Sequence, residues 1–199
     1  MEAVAAVPLW LKLGYGVSIV VIAAVYWREY GPSNFLWLSD IALALTALAV
    51  IFEYPLFASM PAIGVLPLEL VWTVDFIAGG RLFGLAGYMF DPRYSLFLRA
   101  LSLFHLALPP TLIWMLFRFG YDARALIWQL IVTWTALVVC YAFTAPDKNI
   151  NWVFGPGTEP QKKMPPLRYL ALLLLVQTFA VILPMHFLLS YLFGAPQAN

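Results

Sequence analysis

The sequence contains little charge for its length. Only 11% of its 199 residues are Asp, Glu, Lys or Arg, whereas 63% are hydrophobic. A water-soluble fold of this size needs more polar side chains to cover its surface, so the composition excludes that class. It predicts an integral membrane protein.

Neither positive nor negative charge predominates. Eleven Lys and Arg residues face ten Asp and Glu residues, which leaves a formal net charge of +1. The chain therefore lacks the basic surplus that captures nucleic acid, and no nucleic-acid partner is expected. The N-terminal stretch MEAVAAVPLWLK lacks the basic flank and cleavage site of a signal peptide, so we expect the first apolar segment to be retained.

Cysteine and histidine are nearly absent. The single cysteine, Cys140, lies in an apolar run and cannot form an internal disulfide, so it is expected to act as a small hydrophobic residue. The two histidines, His105 and His186, form no HxxxH or HExxH pair. Since a metal site needs three or more converging ligands, we expect neither a metal nor another cofactor.

Long apolar runs dominate the rest of the chain. A membrane-spanning helix needs about 20 apolar residues, and clusters of Pro, Gly and charge divide the sequence into six segments of that length. The predicted spans lie near residues 8–27, 34–54, 57–78, 96–118, 123–144 and 167–193. The sequence thus predicts an all-α fold in which residues 1–199 form a single domain, a bundle of six transmembrane helices.

The basic residues predict the orientation of this bundle. An even number of spans places both termini on one side, and cytoplasmic loops carry an excess of Lys and Arg. One set of alternate loops contains eight basic residues and the other set contains three: Arg28, Arg81, Arg93, Arg99, Lys148, Lys162, Lys163 and Arg168 against Lys12, Arg118 and Arg124. We therefore expect a multi-pass protein of the cell membrane with both termini non-cytoplasmic.

Several ionisable residues fall inside the predicted spans, where a charge at the bilayer centre costs about 2.5 to 3.5 kcal/mol. Glu69 and His105 both come near the mid-plane and are predicted to meet. Asp40, Asp75 and Arg99 lie nearer the cytoplasmic ends. We predict an inner layer formed by Glu69 and His105 and an outer layer formed by the other three residues. The alternative is that Asp40 and Arg99 form only a structural ion pair between the second and fourth helices.

Helical spacing extends the inner layer. Glu69 and Trp72 are three residues apart and share a face, as do Ser102 and His105. The prolines of HLALPP predict a kink immediately after His105, which would open a polar cavity towards the cytoplasm.

A histidine beside a carboxylate can act as a general base. The candidate catalytic residues are therefore His105 as the base, Ser39 or Ser102 as the nucleophile, and Glu69 or Asp40 as the group that orients the imidazole. Asp75, Arg99, Trp72 and Asn34 are candidate binding residues on the same spans.

The stretches FLWLSD, SMPAIGVLPLELVWTVD and HLALP resemble the androgen-induced family of six-helix membrane hydrolases and related bacterial integral membrane proteins. The resemblance covers residues 34–110. It implies cleavage or transfer of fatty acyl esters of membrane lipids by a threonine on the second helix and a histidine on the fourth, which would be His105. The threonine position falls on Trp37, which cannot attack an ester.

Two hypotheses follow. The first is a lipid-directed ester hydrolase or acyltransferase whose substrate is a membrane lipid. The second is a non-enzymatic membrane component: a small transporter, a ligand-binding protein or an accessory subunit, acting as a homo-oligomer or within a larger membrane complex.

Overall fold

The computed structural model describes residues 6–157 and 159–194, and every regular element in those ranges is helical. The α-helices are α1 (Leu9–Glu29), α2 (Leu38–Phe52), α3 (Pro55–Gly64), α4 (Leu66–Ile77), α5 (Leu96–Leu101), α6 (Phe104–Phe119), α7 (Ala125–Phe143), α8 (Pro166–Val176) and α9 (Leu183–Phe193). A π-helical segment, Gln177–Ile182, joins α8 to α9. Residues 1–5 and 195–199 of the predicted domain lie outside the described ranges. Residues 1–5 are part of the N-terminal stretch that was compared with a signal peptide.

The all-helical prediction is confirmed, and the long apolar helices fit a multi-pass membrane protein. In the described part of the chain, four helical stretches are long and apolar enough to cross a membrane: Leu9–Glu29, Leu96–Phe119, Ala125–Phe143 and Pro166–Phe193. The bent pair α3 and α4 makes a fifth if both halves belong to one span. These findings establish four to five candidate spans, where the sequence predicts six.

The second predicted span, 34–54, is shorter than expected. Residues Pro32–Leu36 form a 3-10 turn after Gly31, and the α-helix begins only at Leu38. It ends at Phe52 because Glu53 adopts a left-handed conformation with φ of 55°. A proline follows at the first position of α3, where its missing N–H costs nothing.

The third predicted span, 57–78, is two helices rather than one. They meet at Val65 and differ in direction by 61°. Pro67 lies in the first turn of α4 and has no N–H to bond the carbonyl of Ile63 four residues earlier. The break therefore has a local cause, and it turns the first residues of α4 towards α6.

Helix α3 lies at the centre of the bundle and packs against α2, α6, α7 and α9. Its residues from Ala58 to Gly64 are all buried, and most of them are small. Gly64 allows the closest approach, because a Cβ atom there would lie 2.2 Å from Nε2 of Gln129 on α7. Small residues at helix crossings permit this kind of tight packing in membrane proteins.

Polar contacts connect the helix ends. Lys12 near the start of α1 forms a 2.6 Å ion pair with Glu53 after α2. At the other end of α2, the Asn151 amide donates to the Leu36 carbonyl at 2.7 Å and accepts the Leu38 N–H at 2.9 Å. Helices α1 and α2 are thus antiparallel, and the segment between α7 and α8 is hydrogen-bonded to the start of α2.

Candidate functional site

The two residues predicted to meet near the mid-plane are in direct contact. Nδ1 of His105 lies 2.7 Å from Oε2 of Glu69, and the two side chains are only 13% and 5% exposed. His105 is the second residue of α6, and Glu69 lies in the first turn of α4. The predicted meeting of Glu69 and His105 is therefore confirmed, and their contact joins the starts of two helices.

The backbone break that positions His105 lies before it. Ser102 and Leu103 form a turn between α5 and α6, and α6 then continues without interruption through Pro109 and Pro110. The break in the helix therefore precedes His105, and α6 is not interrupted after it. The two prolines lie in the second turn of α6, so the bonds they remove involve only carbonyls of its first turn.

Two aromatic rings stack on the imidazole of His105. Trp72 stacks on His105 with ring centroids 4.5 Å apart, and the Phe104 ring lies 4.1 Å away. Trp72 shares a face of α4 with Glu69, as its spacing predicts, and its other neighbours include Tyr88 at 6.4 Å. The carboxylate fixes one nitrogen of the ring and the stacked aromatics fix its plane.

Ser102 bonds to Tyr26 instead of His105. The hydroxyls of Ser102 and Tyr26 are 3.0 Å apart, and Ser102 Oγ lies 3.4 Å from the Leu98 carbonyl. Ser39 is half-buried at the start of α2. Within the described chain neither serine is hydrogen-bonded to His105, so the predicted pairing of base and serine is absent. The turn at Ser102 explains this, because it removes the regular helical relation between residues 102 and 105.

Asp40 belongs to the same buried region. Its Oδ2 accepts a 3.0 Å hydrogen bond from Asn34, whereas its Oδ1 is buried without a partner among the described residues. Its charge interacts with that of Glu69. The candidate residues Asn34 and Asp40 are thus paired. The imidazole is oriented by Glu69, not by Asp40.

The predicted outer layer of Asp40, Asp75 and Arg99 does not form. The Asp75 carboxylate accepts three backbone N–H groups of its own loop, and Nη1 of Arg99 donates to the Met89 carbonyl at 3.0 Å. The alternative Asp40–Arg99 ion pair is also absent from the described chain. Residues 78–91 form a folded loop whose backbone binds the side chains of Asp75 and Arg99. The depth of a residue along its helix does not predict such contacts.

Two tyrosines beside the candidate site are not among the residues predicted from the sequence. Tyr26 bonds Ser102, and the Tyr88 ring lies beside Trp72 with ring centroids 6.4 Å apart. A signal for Tyr26 was available, because Tyr15, Ile22 and Tyr26 are spaced by seven and four residues and share one face of α1. All three are buried. Tyr88 lies in a short 3-10 turn, where no helical spacing of buried residues could have indicated it.

The three side chains around which a polar cavity is predicted, Glu69, Asp40 and Ser102, are all buried. A cavity of about 420 Å³ lies between α1 and α5–α6, and its lining is mainly apolar. In residues 6–157 and 159–194, no three His, Cys, Asp or Glu side chains are arranged to hold a metal ion.

The arrangement can support base catalysis. When Glu69 is ionised it accepts the Nδ1–H of His105, which leaves the Nε2 lone pair free to accept a proton. The low exposure of both groups strengthens this interaction. Comparisons with protein-family models, curated proteins and solved structures find no match.

Proposed function

We propose that this protein is a membrane-embedded hydrolase or acyltransferase that acts on fatty acyl esters of membrane lipids, with His105 as its general base. The observation that carries the proposal is the 2.7 Å contact between His105 and Glu69 in buried, largely apolar surroundings. The resemblance of residues 34–110 to the androgen-induced membrane hydrolases gives the same histidine the catalytic role.

The proposed reaction needs one base and one nucleophile. Nε2 of His105 takes the proton of a water or alcohol as its oxygen attacks the acyl carbonyl carbon. Glu69 stabilises the imidazolium that results. The C–O bond to the leaving alcohol then breaks, and the imidazolium returns the proton to that oxygen. Water as the attacking group gives hydrolysis, and a second alcohol gives acyl transfer.

The proposal includes the six-span topology with both termini non-cytoplasmic. Helix α2 is about 22 Å long at 1.5 Å per residue, and short spans are accommodated by local thinning of the bilayer. The Lys12–Glu53 ion pair supports α2 as a span, because it joins the end of α2 to the beginning of α1. Glu69, His105 and Asp40 then lie within the bilayer.

An ester hydrolysis assay tests the proposal. The purified protein in phosphatidylcholine nanodiscs is given fluorogenic fatty acyl esters of several chain lengths. His105→Gln and Glu69→Gln are expected to lower kcat by a factor of about 10² to 10⁴, the usual contribution of a general base. His186→Gln is the matched control, because this second histidine of the chain bonds Tyr121 instead. Turnover that survives in His105→Gln at the wild-type rate would refute the proposal.

The same preparation identifies the nucleophile. A fluorophosphonate probe labels an activated serine, and loss of labelling in Ser102→Ala or Ser39→Ala would assign it. Since neither hydroxyl contacts His105 in the described structure, we expect turnover without labelling, with water as the nucleophile.

A non-enzymatic role is the second candidate. The Oδ1 atom of Asp40, which is buried and has no hydrogen-bond partner within residues 6–157 and 159–194, favours this role, because such an atom is suited to bind a ligand without any reaction. In that case the wild-type protein hydrolyses no ester. Size-exclusion chromatography after extraction in mild detergent then tests the accessory-subunit role. An accessory subunit elutes in a large complex, whereas a protein that acts alone elutes as a single chain of 22.4 kDa.

A further inference from the structure

The cavity between α1 and α5–α6 is a groove along the outside of the bundle. It measures about 420 Å³, within the range of about 300 to 1,000 Å³ that is typical of ligand pockets. Its lining includes Trp10, Gly14, Ile22, Leu43, Phe104 and Ala107. Most of the lining is apolar, and the lining residues Leu103 and Val17 are exposed on the outside of the bundle. The groove is therefore open sideways to the bilayer.

Its length matches one acyl chain. The lining residues of α1 extend from Trp10 to Ile22, which corresponds to about 18 Å along a helix. One leaflet of the hydrocarbon core, which a single acyl chain fills, is about 15 Å thick. Gly14 adds depth, because a Cβ atom at this position would meet nothing within 4 Å.

One end of the groove adjoins the candidate site. Phe104 lines the groove and stacks on His105. Ile22 also lines it, and Tyr26 one turn further along α1 bonds Ser102. A chain in the groove would therefore have one end beside polar groups and the other beside Trp10. An acyl ester has the same polarity, with a polar carbonyl at one end and a methyl group at the other.

We propose that this groove binds one acyl chain of a membrane lipid, with its ester end towards Tyr26 and Phe104 and its methyl end towards Trp10. The inference deepens the proposed function and rests on it for the nature of the substrate. A chain bound in this way enters laterally from the bilayer, and its ester lies deeper than that of a free phospholipid, because Trp10 is at the start of α1.

Photocrosslinking tests the binding without any turnover. The protein and its His105→Gln variant are placed in nanodiscs that contain phosphatidylcholine with a diazirine either near the acyl carbonyl or at the chain end. Mass spectrometry then locates the adducts. The first probe should label residues near Ile22 and Phe104, and the second should label residues near Trp10 and Gly14, in both proteins.

Two glycines provide the variant and its control. Gly14→Leu places a side chain in the groove and should lower the labelling of its lining by about tenfold, comparable to the cost of a misfitted methylene group in an apolar pocket. Gly16→Leu adds the same side chain to the same helix but faces a different surface groove. Neither new Cβ atom meets a heavy atom within 4 Å, so both variants should fold.

The outcomes separate this inference from the proposed function. Ordered labelling that Gly14→Leu removes and Gly16→Leu leaves unchanged supports the acyl-chain site even if no ester is hydrolysed. Equal labelling of the groove and of the lipid-facing side of α7, or labelling that is unaffected by Gly14→Leu, overturns it. If a second copy of the chain fills the groove, lining residues stay unlabelled and Gly14→Leu reduces the size of the oligomer, which also overturns it.

Discussion

The carboxylate of Asp75, at the end of α4, accepts the backbone N–H of Ala86 at 2.8 Å. It also accepts the N–H groups of Leu82 and Phe83, each at 2.9 Å. Asp75 thus folds the loop that follows it, and that loop carries Tyr88 against Trp72. Its link to the candidate site is indirect, because Trp72 in turn stacks on His105.

Replacement of Asp75 is expected to loosen this loop. Asp75→Ala leaves three N–H groups without their acceptor, and Asp75→Asn presents an amide NH₂ where an acceptor is needed. Both variants should melt at a lower temperature than the wild type in thermal unfolding experiments. Asp147→Asn, at an exposed position, is the control and should melt like the wild type. Equal melting temperatures in all four proteins would contradict the structural role of Asp75.

Asn151 is expected to stabilise the start of α2. Its side chain bonds both Leu36 and Leu38, and its own backbone has a positive φ of 52°. Asn151→Gly removes the side chain without backbone strain and should cost about 1 to 3 kcal/mol, because the N–H of Leu38 loses its partner. Asn151→Ala should cost about 1 to 2 kcal/mol more, because a Cβ residue is strained at positive φ.

Denaturant unfolding of both variants separates these two effects. A wild-type stability for Asn151→Gly would show that the side-chain bonds contribute nothing, and equal stabilities for the two variants would exclude backbone strain.

The sequence was sufficient to predict what depends on composition and helical spacing. The all-helical fold follows from the scarcity of charge, and the contact between Glu69 and His105 follows from their equal depth in neighbouring helices. The shared face of Glu69 and Trp72 follows from their spacing. Each of these needs only the rise and period of a helix.

The remainder depends on backbone breaks whose position or angle the sequence does not give: Pro67 marks the bend at Val65 but not its angle, and no proline or glycine marks the turn at Ser102. The 61° bend at Val65 and the turn at Ser102 both change where side chains point. Because the turn lies before His105, Ser102 bonds Tyr26 and the expected pairing of serine and base is lost. Asp75 and Arg99 likewise bond a loop whose fold depends on tertiary packing, so their depth alone gave the wrong partners.

Asp122 is expected to make stability depend on pH. It lies between α6 and α7, and its hydrogen bond with Arg124 lowers the pKa of the Asp122 carboxyl below its ordinary value. A lowered pKa in the folded state gives stability that is present at neutral pH. That stability is lost as the pH falls below about 3.9, the value in the unfolded chain, towards the folded pKa. Melting temperatures of the wild type and Asp122→Asn, measured between neutral and acid pH, should therefore converge in acid. A constant difference between them would contradict the assignment.

The contact between Gly64 and Gln129 should set how closely α3 approaches α7. A Cβ atom at Gly64 would lie 2.2 Å from Nε2 of Gln129, whose side chain is buried and bonded to Thr133 at 2.9 Å. Gly64→Ala should therefore destabilise the protein by about 1 to 3 kcal/mol through overpacking. Gly16→Ala, on an open face of α1, is the control and should be neutral or stabilising by about 0.5 to 1 kcal/mol.

A double-mutant cycle tests whether Gln129 is the obstacle. Gln129→Ala removes the side chain that the new methyl group would meet, so Gly64→Ala should cost much less in that background. Unfolding free energies of the two single variants and the double variant in the same detergent give the coupling. If the destabilisation of the double variant equals the sum of the two single variants, the cost of Gly64→Ala does not come from a clash with Gln129.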